Sequence, residues 1–460
     1  MSTAISNPLV RLVLIYFLSV FFHFIIPKRV KEYAIPFAFA LIIVEQNVMP
    51  FFGGGAHFLF VAIYWISIAI VLDGVKFRDL GENKVFLSFC IFWIYYIITG
   101  FWSDNNRYYA IMYLLNTLIE LLLVGYFAGI WVMRTQGGLY RLVKYTMILS
   151  IFTFLTYVKF GFAGAVDNTG RAMLSEEIVA QGLGHNVNDI GLAIVPIMAF
   201  AFVAAFDTRL MKPAKWFTLF SFFVLLCSAY FVMRTGSRNA ALAYLPCAMY
   251  MLSKLKERGR DSVRKWIVAF MAIMAFAVVA YKFAHSANAL RVFDYFGGTS
   301  NASNINLDDV SSGRISIFMN YLRDMSGIDY LIGKGPYVYV NIEGAKMVGG
   351  AMSVYVTLVR DVGAIGLFLL LVHFCVVLCW TRRNKLLGQI VLLIFLCWAL
   401  TGIAEQVGIV RGKLICLVQG FAYALCTRRY RMMDIFCFVP QYYDPMYLAA
   451  SNFYNPMGRR

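Results

Sequence analysis

Residues Lys282–Gly350 read KFAHSANALRVFDYFGGTSNASNINLDDVSSGRISIFMNYLRDMSGIDYLIGKGPYVYVNIEGAKMVGG, the one long polar, Gly- and Asn-rich run of the chain. The runs on either side are apolar and as long as a bilayer is thick, so this stretch must lie in water between two spans. It fixes the fold class and is where a reaction centre would be sought.

The surrounding composition agrees. Of 460 residues 61% are hydrophobic, 17% aromatic and 14% charged, whereas about a quarter of a soluble chain is charged. The net charge of +17 does not point to nucleic acid, because the Lys and Arg fall in short clusters between apolar runs rather than on a basic face. Of the nine cysteines none lies within 282–350, which excludes a disulfide-stapled outer domain. Cys375 and Cys379 share a helix face inside an apolar run and are assigned to packing, not to metal. The first apolar run, 9–26, is long enough to span and has no small-residue cleavage site behind it, so it is expected to stay as a helix.

At about 20 apolar residues per crossing, spans are expected near 9–26, 33–51, 57–73, 85–102, 109–133, 143–163, 189–206, 214–233, 237–253, 266–283, 352–380, 386–404 and 408–427. This describes an all-α polytopic integral membrane protein of about 12–14 transmembrane helices, a single membrane domain over 1–460 with one large outer loop at 282–350 and a tail at 428–460. Basic clusters follow alternate spans: Lys28, Arg29 and Lys31, then Lys76, Arg78 and Lys84, and later Lys254, Lys256, Arg258 and Arg260. These connections are read as cytoplasmic. The tail is then also cytoplasmic, while 167–188, 234–238 and 282–350 share the outer face, where a group transfer needs a donor that is already activated.

Four outer segments carry chemistry. Arg234-Thr235-Gly236-Ser237-Arg238 places two arginines against the positive-inside trend. They either snorkel to lipid headgroups or form an anion site with the Gly-Ser turn that opens the next helix. Ser311-Ser312-Gly313-Arg314 precedes apolar residues at helical spacing (Ile315, Phe318, Met319, Tyr321, Leu322). That predicts an amphipathic helix at the interface, capped by Ser311 or Ser312, with Arg314 in its first turn. Ile332-Gly333-Lys334-Gly335-Pro336 is a turn, and Tyr355 with Arg360-Asp361-Val362-Gly363-Ala364-Ile365-Gly366 follows at re-entry into the membrane. Charges inside a span cost about 2.5–3.5 kcal/mol each on insertion scales, so Arg360 and Asp361 must find partners within the protein. The last segment, Gly184 to Gly191, carries His185-Asn186-Val187-Asn188, where Asn188 and Asp189 are expected to cap a helix. Glu45, Glu120 and Glu405 lie in or near spans and are possible acid–base groups.

In this order and topology the motifs resemble the O-antigen polymerase and ligase superfamily of bacterial membrane glycosyltransferases, over roughly Gly170 to Gly366. The resemblance implies a GT-C-like membrane enzyme of the bacterial inner membrane, with periplasmic functional loops, needing neither metal nor other cofactor. Its partners would be the bilayer, undecaprenyl-diphosphate-linked glycan donor and acceptor, and a polysaccharide chain-length regulator. It maps the two functional arginines onto Arg238 and Arg314, which would bind the diphosphate and act in catalysis, with Arg234, Ser237, Asn188, Arg360, Lys334 and Tyr355 around the substrate. For the base, Asp361, Glu405, Glu45 and Glu343 stand in that order. The ligase branch carries a His-Asn pair where this chain has Met352-Ser353, which favours a polymerase of repeat units over a ligase of finished glycan. A lipid-linked oligosaccharide flippase is the alternative from another class, for which charged span interiors or inverted repeats would be expected.

Overall fold

The computed structural model describes residues 81–103, 107–120, 137–160, 187–207, 215–235, 238–257, 314–336, 338–340, 346–348, 353–381, 385–403, 418–422 and 426, with scattered positions between 17 and 44. In these the chain is mostly helical: α1 (Lys84–Thr99), α2 (Arg107–Glu120), α3 (Gly138–Phe160), α4 (Val187–Phe206), α5 (Lys215–Thr235), α6 (Arg238–Leu242), α7 (Tyr244–Glu257), α8 (Arg314–Arg323), α9 (Asp329–Ile332), α10 (Val354–Thr381) and α11 (Lys385–Thr401). The all-helical expectation is corrected by one small antiparallel hairpin, β1 (Val338–Val340) with β2 (Lys346–Val348), in which Tyr339 pairs with Met347. Alternating Val and Tyr suit a strand.

Three helical segments among the described residues, Lys84–Trp102, Gly138–Leu155 and Val354–Thr381, are long and apolar enough to cross a membrane, and Ile190–Phe206, Trp216–Val232 and Leu387–Thr401 are shorter apolar helices. α1 shows why. The Asn83 side chain accepts from the N–H groups of Val85 and Phe86, at 3.0 and 3.1 Å, and so starts the helix. Val85, Phe89, Phe92, Trp93 and Tyr96 form its buried stripe, yet Leu87, Ile91, Ile94 and Ile98 on the other side are exposed. A helix that is apolar all round has no polar face to give to water. The exposed Leu219, Phe223 and Leu226 of α5 and Phe368 and Leu371 of α10 repeat the pattern.

Contacts fix the directions of the helices. Ser88 meets His373 and Tyr96 meets Asp361, so α1 and α10 are antiparallel. Tyr140 packs on Phe217 and Phe154 on Phe231, making α3 and α5 parallel. Phe202 meets Tyr244 while Asp207 meets Tyr250 and Lys254, so α4 and α7 also run parallel.

Two expected spans are interrupted. The expected helix 237–253 is divided into α6 and α7 at Ala243; Pro246 has no N–H for the carbonyl of Leu242, four residues back. The expected span 352–380 is helical throughout but breaks at Gly363, whose φ of 58° and ψ of −167° are not helical. The break is sharp. Tyr355 and Phe374, which a straight helix would hold about 28 Å apart, both lie against Trp398, with ring centroids at 6.4 and 5.4 Å.

Candidate functional site: a glycine turn docked in a broken helix

A break in a helix frees backbone carbonyls, and inside an apolar span these must be satisfied by other protein groups. Here the Gly333-Lys334-Gly335 turn does so. Lys334 N–H donates to the carbonyl of Arg360 at 2.7 Å, and Gly335 N–H to that of Asp361 at 3.0 Å. The turn's own carbonyls are taken in order: Ile332 by the Tyr95 hydroxyl (3.0 Å), Gly333 by the Trp102 indole N–H (2.9 Å) and Pro336 by the Ser103 hydroxyl (2.8 Å). Arg360 Nη1 reaches the Gly335 carbonyl at 3.3 Å. The end of α1, the turn and the break of α10 are thus one hydrogen-bonded unit.

Glycine is required on both sides of this contact. Gly333 has φ 79° and ψ 166°, which with Gly363 falls in a backbone region open almost only to glycine. A Cβ at Gly333 would run into the Asp361 carbonyl, and one at Gly335 into the carbonyl of Thr99.

The two charges inside the apolar run find partners. Asp361, 3% exposed, accepts from the Tyr96 hydroxyl through Oδ2 at 2.8 Å. Its Oδ1 lies 3.7 Å from Arg360 Nη1. Arg360 also stacks over Tyr321, 5.7 Å from the ring centroid, and its Nη2 lies 3.8 Å from Asp324 Oδ2. Lys334 Nζ approaches the same Asp324 oxygen at 3.6 Å and Asp329 Oδ2 at 3.9 Å. Asp329 is held from below by Ser326, which donates to Oδ2 from its N–H (2.7 Å) and its hydroxyl (2.6 Å). Those two bonds, with smaller help from Lys334 and Arg360, hold the Asp329 carboxyl below its ordinary range. Through Tyr321 and Asp324 the far end of α8, the helix that begins at Arg314, is tied to the break.

The remaining site residues divide by how much of them is described. Tyr355 donates from its hydroxyl to the Ala399 carbonyl at 2.7 Å, beside the 3.0 Å bond from Val354 N–H to Gly402. Arg234 is exposed in the last turn of α5, where a cation faces the negative end of the helix dipole. Arg238 and Arg314 are the first residues of α6 and α8, and of these two only the backbone is described. Asn188 is the second residue of α4, so the expected capping position is corrected: it lies inside the first turn. Ser237, Glu405, Glu45, Glu343 and Met352 lie outside the described residues, as do Ser311 and Ser312. Ser353 is buried.

The end of α6 and the start of α10 meet the same end of α11. Ala243, just after α6, accepts from Cys397 Sγ at 3.7 Å, while Ala399 and Gly402 bind the start of α10. Arg360, Asp361 and Lys334 stand out in the sequence, but Tyr95, Tyr96, Trp102, Ser103 and Asp324, which complete the unit, do not. Nor does His373, buried between the Ser88 hydroxyl at 2.8 Å and the Gln419 side-chain oxygen at 2.9 Å; its one signal is a lone polar residue within the apolar run Leu371-Val372-His373-Phe374. No group of three or more His, Cys, Asp or Glu that could hold a metal occurs among the described residues.

No protein-family model matches the chain, and no curated protein matches it in sequence.

Proposed function

We propose that the chain is a polytopic inner-membrane glycosyltransferase that polymerises undecaprenyl-diphosphate-linked repeat units of a surface polysaccharide at the periplasmic face. The observation that carries this reading is the docked turn. It ties α8, which starts at Arg314, to the break in α10, and α11 joins the start of the same helix, α10, to the end of the bundle where α6 starts at Arg238. The two arginines that the family resemblance singles out, distant in sequence, thus belong to elements that converge on one end. The parallel and antiparallel helix pairs are also those that the alternation of basic connections requires, with that end outermost.

In the reaction a sugar hydroxyl of one lipid-linked unit attacks the anomeric carbon of the glycan on a second carrier. The bond from that carbon to the diphosphate breaks, the hydroxyl proton passes to a base, and the lipid diphosphate leaves. Negative charge grows on the leaving group, and fixed cations there lower the barrier. Arg238 and Arg314 would hold the diphosphate, with Arg234 near it, Arg360 and Lys334 binding substrate at the break, Ser237 and Asn188 binding from the two short outer segments, and Tyr355 shaping the re-entry. Asp361 has both oxygens engaged and is enclosed, so it serves as a positioning residue that keeps the break in shape. The base is then sought among Glu405, Glu45 and Glu343.

A glycolipid profile of a deletion strain tests the reading. Product capped with a single repeat supports a polymerase. Long polymer left unattached would indicate a ligase, and intermediates held on the inner leaflet a flippase; either result would replace the proposal.

A further inference from the structure

One member of the cluster over the helix break takes no part in the hydrogen bonds that dock the turn. Asp324 is 61% exposed at its side chain, yet one oxygen, Oδ2, faces both Lys334 Nζ at 3.6 Å and Arg360 Nη2 at 3.8 Å. Both distances are longer than a charge-assisted hydrogen bond, about 2.7–2.9 Å. The two cations are the reverse, covered and fixed: their side chains are 16% and 5% exposed. Lys334 is held by its backbone N–H on the Arg360 carbonyl and Arg360 by its Nη1 on that of Gly335. Two covered cations, each with a second carboxylate at 3.7–3.9 Å (Asp361 for Arg360, Asp329 for Lys334), converge on one loosely held, exposed carboxylate and make an anion site with an internal occupant.

We propose that Arg360 and Lys334 form a phosphate-binding site at the outer mouth of the broken helix, and that Asp324 is its competitor, displaced when a diphosphate enters. A phosphate presents three oxygens where Asp324 presents one, so it can accept from the guanidinium and the ammonium together. The other two acids of the cluster are committed elsewhere: Asp361 Oδ2 to Tyr96 and Asp329 Oδ2 to Ser326. They balance the two cations, so exchange replaces Asp324 without stripping the cluster of counter-charge. That the ligand is the diphosphate of one of two lipid-linked substrates rests on the function proposed above; the anion site and its competitor do not. A polymerase must hold two such carriers, and this site would serve one of them while Arg238 and Arg314 serve the other. Among the described residues Asp324 and Tyr321 both tie the end of α8 to the break, so displacing Asp324 would loosen the helix that begins at Arg314.

Inorganic pyrophosphate titrated calorimetrically into the detergent-purified full chain tests this. Asp324→Asn keeps the side-chain size and removes the competing charge, an effect expected to tighten binding about three- to fivefold, the scale of an exposed ion pair. The gain should vanish in the double variant Asp324→Asn, Lys334→Gln and shrink at high salt. Equal binding by wild type and Asp324→Asn, or a gain that survives loss of Lys334, would each overturn the proposal. The Lys334-dependent step is read without any polymer assay, so it stands or falls separately from the polymerase reading.

Discussion

Gly333 and Gly363 lie against each other, and each has a backbone conformation that other residues scarcely adopt. The turn and the break in the span were formed for one another: the carbonyls that one lacks partners for are bonded by the N–H groups of the other. This is the device that lets irregular backbone enter an apolar span.

Alanine at either glycine should therefore unfold the junction. The backbone strain alone is on the order of 1–3 kcal/mol, and the added Cβ meets backbone atoms that have no side-chain freedom with which to yield. Thermal unfolding of the detergent-purified protein should fall clearly for Gly333→Ala and Gly363→Ala. Gly327→Ala, where a Cβ would find nothing within 4 Å, should leave it unchanged.

Tyr96→Phe removes the donor to a buried carboxylate while keeping the ring that packs on Phe92 and Trp93. Leaving such an acceptor short of a partner costs about 1–3 kcal/mol. The unfolding midpoint should drop, and Asp361→Asn in the Tyr96→Phe background should cost less than the sum of the two single changes, since the variants remove the same contact.

At the opposite end of the bundle Lys254 Nζ lies 2.8 Å from Asp207 Oδ2, both side chains nearly covered, with Tyr250 donating to the same oxygen at 3.1 Å. Lys254→Ala strands the carboxylate and should cost about 3–5 kcal/mol, whereas replacing both charges with apolar residues of similar volume should restore much of the loss. Chemical unfolding of the three variants measures the difference.

Asp329 gives the 324–336 segment a pH dependence. Its folded carboxyl titrates below the ordinary value of 3.8 because Ser326 donates to it twice. A depressed carboxyl stabilises the fold above the unfolded value, and that contribution is lost as pH falls through the lower folded one. Protease resistance of the 324–336 segment should hold near neutrality and decline only in strong acid. Ser326→Ala should move the decline to higher pH; an unmoved profile would remove Asp329 from the account.

What the sequence shows directly is what depends on composition along one segment. The apolar runs near 85–102, 189–206, 214–233 and 386–404 return as helices with ends shifted by a few residues, and the amphipathic spacing after Arg314 returns as α8. The insertion cost of Arg360 and Asp361 requires protein partners, and they exist. Which partners they are depends on packing between segments far apart in the chain, and no local pattern encodes that. Gly-Lys-Gly and Asp-Val-Gly each look like ordinary turn or helix glycines until Tyr95, Trp102 and Ser103 bring one into the other. The break at Gly363 was masked in the same way, because the apolar run continues on both sides of it.

The central claim, an outer-face polymerase using Arg238 and Arg314 on a lipid-linked diphosphate, is tested most directly by returning Arg314→Ala and Arg238→Ala separately to a deletion strain. The surface polysaccharide is then resolved by length, with the amount of each variant in the membrane measured alongside. The account predicts loss of polymer from either variant at an undiminished membrane level; a wild-type ladder from either would contradict it.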